Sequence, residues 1–223
     1  AIAYINKNIK FLKKNVIGGY VLTCIGDNRN YSIIKTKYEN SISDIAAKKA
    51  FRDLKIKYKS FSFLKRGSDE RQYNSPGVDL NIATIMRSKP GTFREYHTSK
   101  DNFDLVNKSG LKGGYKVAKK AIENLLEIDD PEKKGTKEKN EKKYPKSKFL
   151  CEPNLGKRGL YNLLGETSFG NKVFKDQSRK LLDFLQYSDG TNNLKRISKN
   201  INLNLKKTKF IYNLLKKNNL LSK

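Results

Sequence analysis

Acidic residues are scarce in this 223-residue chain: 22 Asp and Glu stand against 48 Lys and Arg, a net charge of +26 at neutral pH. Cysteine is scarcer still. Cys24 and Cys151 are the only two, too few for a disulfide framework, and no Cys-x-x-Cys pair is present to build a structural zinc knuckle. This usage points to a reducing compartment, so the cytoplasm is the expected location. No run of about 18 apolar residues occurs, so a membrane-spanning helix is not expected. The opening AIAYINKNIKFLKKN is amphipathic rather than patterned as a secretion signal. Histidine occurs once, at position 97.

What is present suffices for a packed core. Apolar residues make up 36% and aromatics 10% of the chain, enough for one domain of ordinary size and a smaller appendage. The positive charge would raise the local concentration of polyanions such as nucleic acid. Its Lys residues, however, are spread along the whole chain beside abundant Asn and Ile, a bias that codon preference also produces, so charge alone assigns no partner. Helical periodicity (Ile2, Ile5, Ile9, Leu12) begins at once, with no capping residue before it, which reads as a truncated N-terminus.

The first helix is expected to stop at Gly18-Gly19. GYVLTCIGD (residues 19–27) then has the form of a strand buried on both faces. YSIIKTKY follows, then a helix with Ser43 as candidate N-cap and DIAAKKAFRDL as its body. KSFSFL (59–64) and NIATIMRSK (81–89) read as further strands, separated by the loop RGSDERQYNSPGVDL. After a Pro90-Gly91 turn and the polar stretch FREYHTSKDNFDLV, a long helix is expected from Leu111 to Leu126. Strands alternating with helices give an α/β fold over residues 1–130. Residues 131–148 read as a Lys-rich linker. Within residues 149–223 three helical patterns separated by short turns, with Leu182, Leu185, Ile197, Ile201, Ile211, Leu214 and Leu215 meeting, outline a small winged-helix-like domain.

EYHTSKDNFDL holds the single histidine. An isolated His in a polar loop is often only a surface residue, but Asp101 or Asp104 lies near enough in sequence to orient a metal-bound imidazole. Thr98 and Ser99 can tie down the loop backbone. YHTSKDNFDLV resembles the last metal-ligand segment of the co-catalytic zinc aminopeptidases. The ordered set VLTCIGD, SDERQYNSPGVDL, EYHTSKDNFDLV and EPNLGKRGLY is similar to a bacterial branch of aminopeptidase-like proteins that end in a winged helix.

The resemblance implies a zinc-peptidase-like sheet carrying one or two zinc ions. Zinc there activates a bound water and polarises a substrate carbonyl. His97 matches the last histidine ligand. Asp27 is the candidate acidic ligand; an Asp simply opening a turn after Gly26 is the alternative. The family's other histidine, bridging aspartate and catalytic glutamate have no counterpart here, and AIAYINKN resembles the helix after that glutamate, so the general base is expected upstream and no catalytic residue within this chain. Asp69, Glu70, Arg71 and Tyr73 are candidate substrate contacts, an Arg fork for a carboxylate and a phenol for a tetrahedral intermediate; an internally paired loop is the alternative. Lys157 and Arg158 are read as anchoring the linker to the peptidase-like core, with a substrate-facing role as the alternative.

The implied substrate is a peptide or acylamino small molecule, some of the branch being associated with surface polysaccharide. From a different class comes a nucleic-acid-binding reading, with Lys206, Lys207, Lys209 and Asn213 on the last helix as its groove-facing residues; a purely interacting role is a third. No membrane partner is expected, and a homo-oligomer is left open.

Overall fold

The computed structural model describes residues 1–65, 68–128, 144–160 and 177–222. It falls into two compact units. One takes Lys7–Asn74 and the described chain from Leu80 to residue 128; the other takes Ile2–Asn6, Ser75–Asp79 and the described residues from Tyr144 on.

In the first unit, β1 (Gly19–Leu22), β2 (Ser32–Ile34), β3 (Lys59–Phe61) and β4 (Ile82–Met86) form one sheet in the order β1-β4-β2-β3. β1 runs parallel to β4, with Gly19 opposite Ile82 and Leu22 opposite Ile85. β2 is antiparallel to β4, and β3 is parallel to β2. All five residues of β4 are buried, as expected for an apolar run with neighbours on both sides. β1 differs from the expected doubly buried strand: Gly19, Tyr20 and Val21 are half-buried and Leu22 is exposed. Among the described residues it is an edge strand. Its pairing continues past Leu22, since Thr23 N–H donates to Ile85 and Cys24 C=O accepts from Arg87 N–H at 2.9 Å.

One face of the sheet is covered by α2 (Ile42–Asp53) and α4 (Lys108–Glu127). Ile33 and Ile85 meet Ala47, Ala50 and Phe51 of α2 and Val117 and Ala121 of α4 in the core. The N-cap of α2 is Ser41, not Ser43, because Asp44 three residues on completes a reciprocal capping box with Ser41. Ser43 instead points inward, where its Oγ accepts from Gly19 N–H at 2.8 Å and fixes the entry to β1. Asn107 caps α4 through Gly110 N–H at 2.8 Å, starting that helix before Leu111. Preceding α1 (Ile2–Asn15) has no side-chain cap.

Side chains alternate across a strand, so Thr84 points to the face opposite Ile85. There α3 (Asp69–Tyr73) lies, with Glu70 hydrogen-bonded to Thr84 Oγ1 at 3.4 Å. Asn74 closes α3 by bonding both N–H and C=O of Ile82, acting as a short substitute strand at the start of β4.

The second unit contains α5 (Gln177–Gln186), α6 (Leu194–Asn200) and α7 (Leu205–Lys217). Asn193 and Asn204 cap α6 and α7. Leu185, Ile197, Ile201, Ile211 and Leu215 form the expected core, but Leu181 and Phe184 of α5 are its innermost residues rather than Leu182, which is half-buried, as is Leu214. Antiparallel bridges join Lys146 to Asp189 and Ser147 to Leu221, a small β element beside the three helices. Arg158 stacks on Phe149 with 4.4 Å between guanidinium and ring centre and donates to Asn154 C=O, a local anchor. Residues 131–143 of the expected linker lie outside the described residues.

Candidate functional site

β1 and β4 end at the same edge of the sheet at which the oppositely directed β2 and β3 begin. Three connections therefore converge there: residues 23–31, residues 87–107 and the approach to β3. In open α/β sheets the carboxyl ends of strands are where ligands gather, because the loops leaving them are free of the ladder.

Asp27 sits at this edge and is 4% exposed. Oδ1 accepts from Arg29 N–H at 2.9 Å and Ser88 Oγ at 2.8 Å, and Oδ2 accepts from Ser88 N–H at 2.9 Å. One carboxylate thus turns the chain after β1 and holds it to the residue two beyond the end of β4. Behind it, α4 presses against the loop through glycines. A Cβ at Gly110 would lie 1.9 Å from Gly26 O, and one at Gly114 would lie 2.6 Å from Ile25 O. The Lys-Ser-Gly-Leu-Lys-Gly-Gly pattern lets the helix N-terminus approach bare backbone.

His97 is exposed, with φ of 60° and its ring 3.9 Å from that of Tyr96. Left-handed backbone at a non-glycine residue is unfavourable and is retained where surrounding contacts impose it. Thr98 supplies them: its N–H and Oγ both donate to Glu95 C=O, and its Oγ accepts from Lys100 N–H. Among the described residues no hydrogen bond reaches the imidazole. Arg29 ties this turn to the Asp27 loop with two bonds to Glu95, at 3.0 and 2.7 Å. That bidentate pair holds the Glu95 carboxyl down at about 2, the Arg29 hydrogen bond being the main cause. Asp27 and His97 therefore belong to loops joined by Asp27–Ser88 and Arg29–Glu95.

The other candidate residues lie on the α3 face. Asp69 is exposed and Tyr73 half-buried, while Glu70 and Arg71 are fully buried. Glu70 also accepts from Ser68 N–H at 3.2 Å, and Arg71 places its guanidinium 5.4 Å from the centre of the Phe63 ring.

A histidine nitrogen and a carboxylate are zinc-type donors, but a zinc site needs three or four protein ligands. Among the described residues no three His, Cys, Asp or Glu side chains gather as a metal cluster. One imidazole and one carboxylate are donor types that zinc accepts, and among the described residues they do not make up a ligand set.

Residues 1–129 match the model of a domain family of unknown function (DUF4910). The chain belongs to the DUF4910 family. Over 210 residues, 94% of its length, this DUF4910 chain is 31% identical to a Clostridium acetobutylicum protein named "Putative polysaccharide biosynthesis protein with aminopeptidase-like domain". It is also similar over 98% of its length to a crystal structure from the same organism, described as that of a "putative peptidase", with a TM-score of 0.52 and 29% identity. The chain spans 44% of the length of each. Residues 143–223 match a winged helix-turn-helix family. On α7 of that region Lys206, Lys209 and Asn213 are exposed and Lys207 is half-buried.

Sequence reasoning about this DUF4910 chain missed Arg29, Glu95, Ser88 and Arg87. Glu95 opens the segment EYHTSKDNFDL and Arg29 lies two residues past Asp27, but nothing local pairs residues 66 positions apart. Among the described residues no helix is long and apolar enough to cross a membrane.

Proposed function

We propose that this chain supplies one edge of the active site of a zinc-dependent amide hydrolase of aminopeptidase type. The observation that carries the reading is the joining of the Asp27 and His97 loops at the strand ends through Arg29–Glu95 and Asp27–Ser88. Similarity to a peptidase-like protein along almost the whole chain supports it. In this reading His97 is a zinc ligand. Asp27, already held by three donors, offers its one remaining lone pair, on Oδ2, as a second. The other ligands and the general base come from outside these residues. Zinc, when bound, would activate water and polarise the amide carbonyl.

The substrate class is a peptide or acylamino compound, and the relative's polysaccharide name extends this to an amide carried on a sugar. Asp69 and Tyr73 are the accessible members of the substrate-contact set; Glu70 and Arg71 hold them against β4 and Phe63. The cytoplasm is the proposed compartment. The test is hydrolysis of aminoacyl amides by a longer chain that includes the upstream half of the matched relative. We expect activity that a chelator removes and zinc restores. Activity indifferent to chelator would sink the proposal.

A second reading is favoured by the exposed Lys206, Lys209 and Asn213 on α7: the winged-helix region binds duplex DNA. Affinity falling linearly with log salt, and lost on Lys206→Ala/Lys209→Ala substitution, would support it.

A further inference from the structure

A cleft of about 280 Å³ opens at the same sheet edge, lined by Asn28, Arg29, Tyr31, Lys57, Lys59 and Arg87. Its innermost charge is Arg87, only 4% exposed. Nε donates to Asn30 C=O at 2.7 Å, and the guanidinium lies 3.6 Å from the centre of the Tyr31 ring. Four more N–H donors remain on its two terminal nitrogens, and among the described residues no carboxylate pairs with it. The fold makes room for this group. A Cβ at Gly113 would stand 2.2 Å from Arg87 Nη1 and 2.5 Å from Tyr31 Oη, so a glycine, otherwise unfavourable within a helix, is placed where the guanidinium needs space.

Burying a charge without a counter-charge is costly, and a ring face offsets only part of it. Here the neighbours add to the cost rather than relieve it. Lys57 and Lys59 bring two further cations to the cleft with no ion partner among the described residues, and Glu95 is already engaged by Arg29. Backbone geometry keeps them there: Lys59 N–H donates to Tyr31 C=O at 2.8 Å, fixing the start of β3 beside Tyr31.

We propose that this cleft is an anion site that takes the phosphate group of a small molecule, with Arg87 as its forked donor and Lys57 and Lys59 as flanking charges. Phosphate is favoured over a carboxylate because three unpaired cations surround a space of this size, more than a single negative charge balances; a planar fork and compact ammonium groups suit phosphate oxygens. The site needs no metal and stands apart from the hydrolase reading.

The probe is inorganic phosphate, titrated calorimetrically into the full chain at fixed ionic strength, with acetate as comparison. We expect one saturable site for phosphate, weaker binding of acetate, and a rise in Tm that follows phosphate concentration. Arg87→Gln should weaken binding about tenfold or more, the scale of one lost charged hydrogen bond. Should that variant unfold, the exposed pair Lys57→Ala/Lys59→Ala decides, and it should weaken phosphate severalfold. Lys10→Ala/Lys13→Ala/Lys14→Ala removes three exposed charges outside the cleft lining and should leave binding unchanged. No saturable phosphate site, or equal losses in the Lys57/Lys59 and Lys10/Lys13/Lys14 variants, would show only the general attraction of a basic chain and overturn the proposal.

Discussion

At the scale of single residues, the chemistry of the sheet edge rests on carboxylates whose partners are distant in sequence. Glu95 has a folded-state pKa of about 2, below its ordinary value. A depressed carboxylate contributes stability that is complete above its unfolded pKa and is lost as pH falls through the folded one. The Arg29–Glu95 tether should therefore persist through neutral and mildly acidic solution and release between about pH 4.3 and pH 2. A carboxyl NMR titration of Glu95 should show that low midpoint, and Arg29→Ala should raise it toward the usual glutamate range, backbone hydrogen bonds holding back the remainder; an unchanged midpoint would mean that Arg29 does not hold the Glu95 carboxylate. Asp27→Ala leaves Ser88 N–H and Oγ without their acceptor in a buried position, which should cost on the order of 1–3 kcal/mol in urea unfolding. A loss within a few tenths of a kcal/mol would mean that Asp27 is not the brace described. These partners lie 66 and 61 residues apart, so no local pattern could pair them. By contrast, His97 and Asp27 could be singled out because each sits inside a short motif.

At the scale of elements, helix starts show what local sequence carries. Asn107, Asn193 and Asn204 cap helices as their chemistry dictates, and Asn204→Ala should lower stability by about 1 kcal/mol. Ser41 prevailed over Ser43 because only Ser41 has Asp44 at the capping-box distance, a distinction visible in the sequence. The role of Ser43 was not visible, since it depends on where Gly19 arrives. Burial on the sheet behaved similarly. The apolar run of β4 announced a central strand, whereas the equally apolar start of β1 became an edge because strand order is not written locally. The glycines of α4 are the sharpest element-level test. Gly110→Ala would gain about 1 kcal/mol from helix propensity alone. Its Cβ would meet Gly26 O at 1.9 Å, so a net destabilisation is expected, measured by denaturant unfolding. A more stable variant would mean that α4 does not press on the Asp27 loop.

At the scale of the whole molecule, two units of one chain carry two family matches, DUF4910 over residues 1–129 and a winged helix-turn-helix over 143–223. The α/β outline and the helical C-terminal unit were legible because periodicity and turn residues change along the chain. How the Asp27 and His97 loops are tied together was not, because the joining residues stand far apart in the sequence. The net charge of +26 makes controls at matched ionic strength essential in any binding experiment, since surface attraction and a built site differ in their response to local substitutions. The most direct test of the hydrolase account is the zinc content, after dialysis against trace metal, of a longer chain that includes the upstream half, beside its His97→Ala variant. The account predicts that the longer protein retains zinc and that His97→Ala retains less. Equal zinc in both, or none in either, would contradict it.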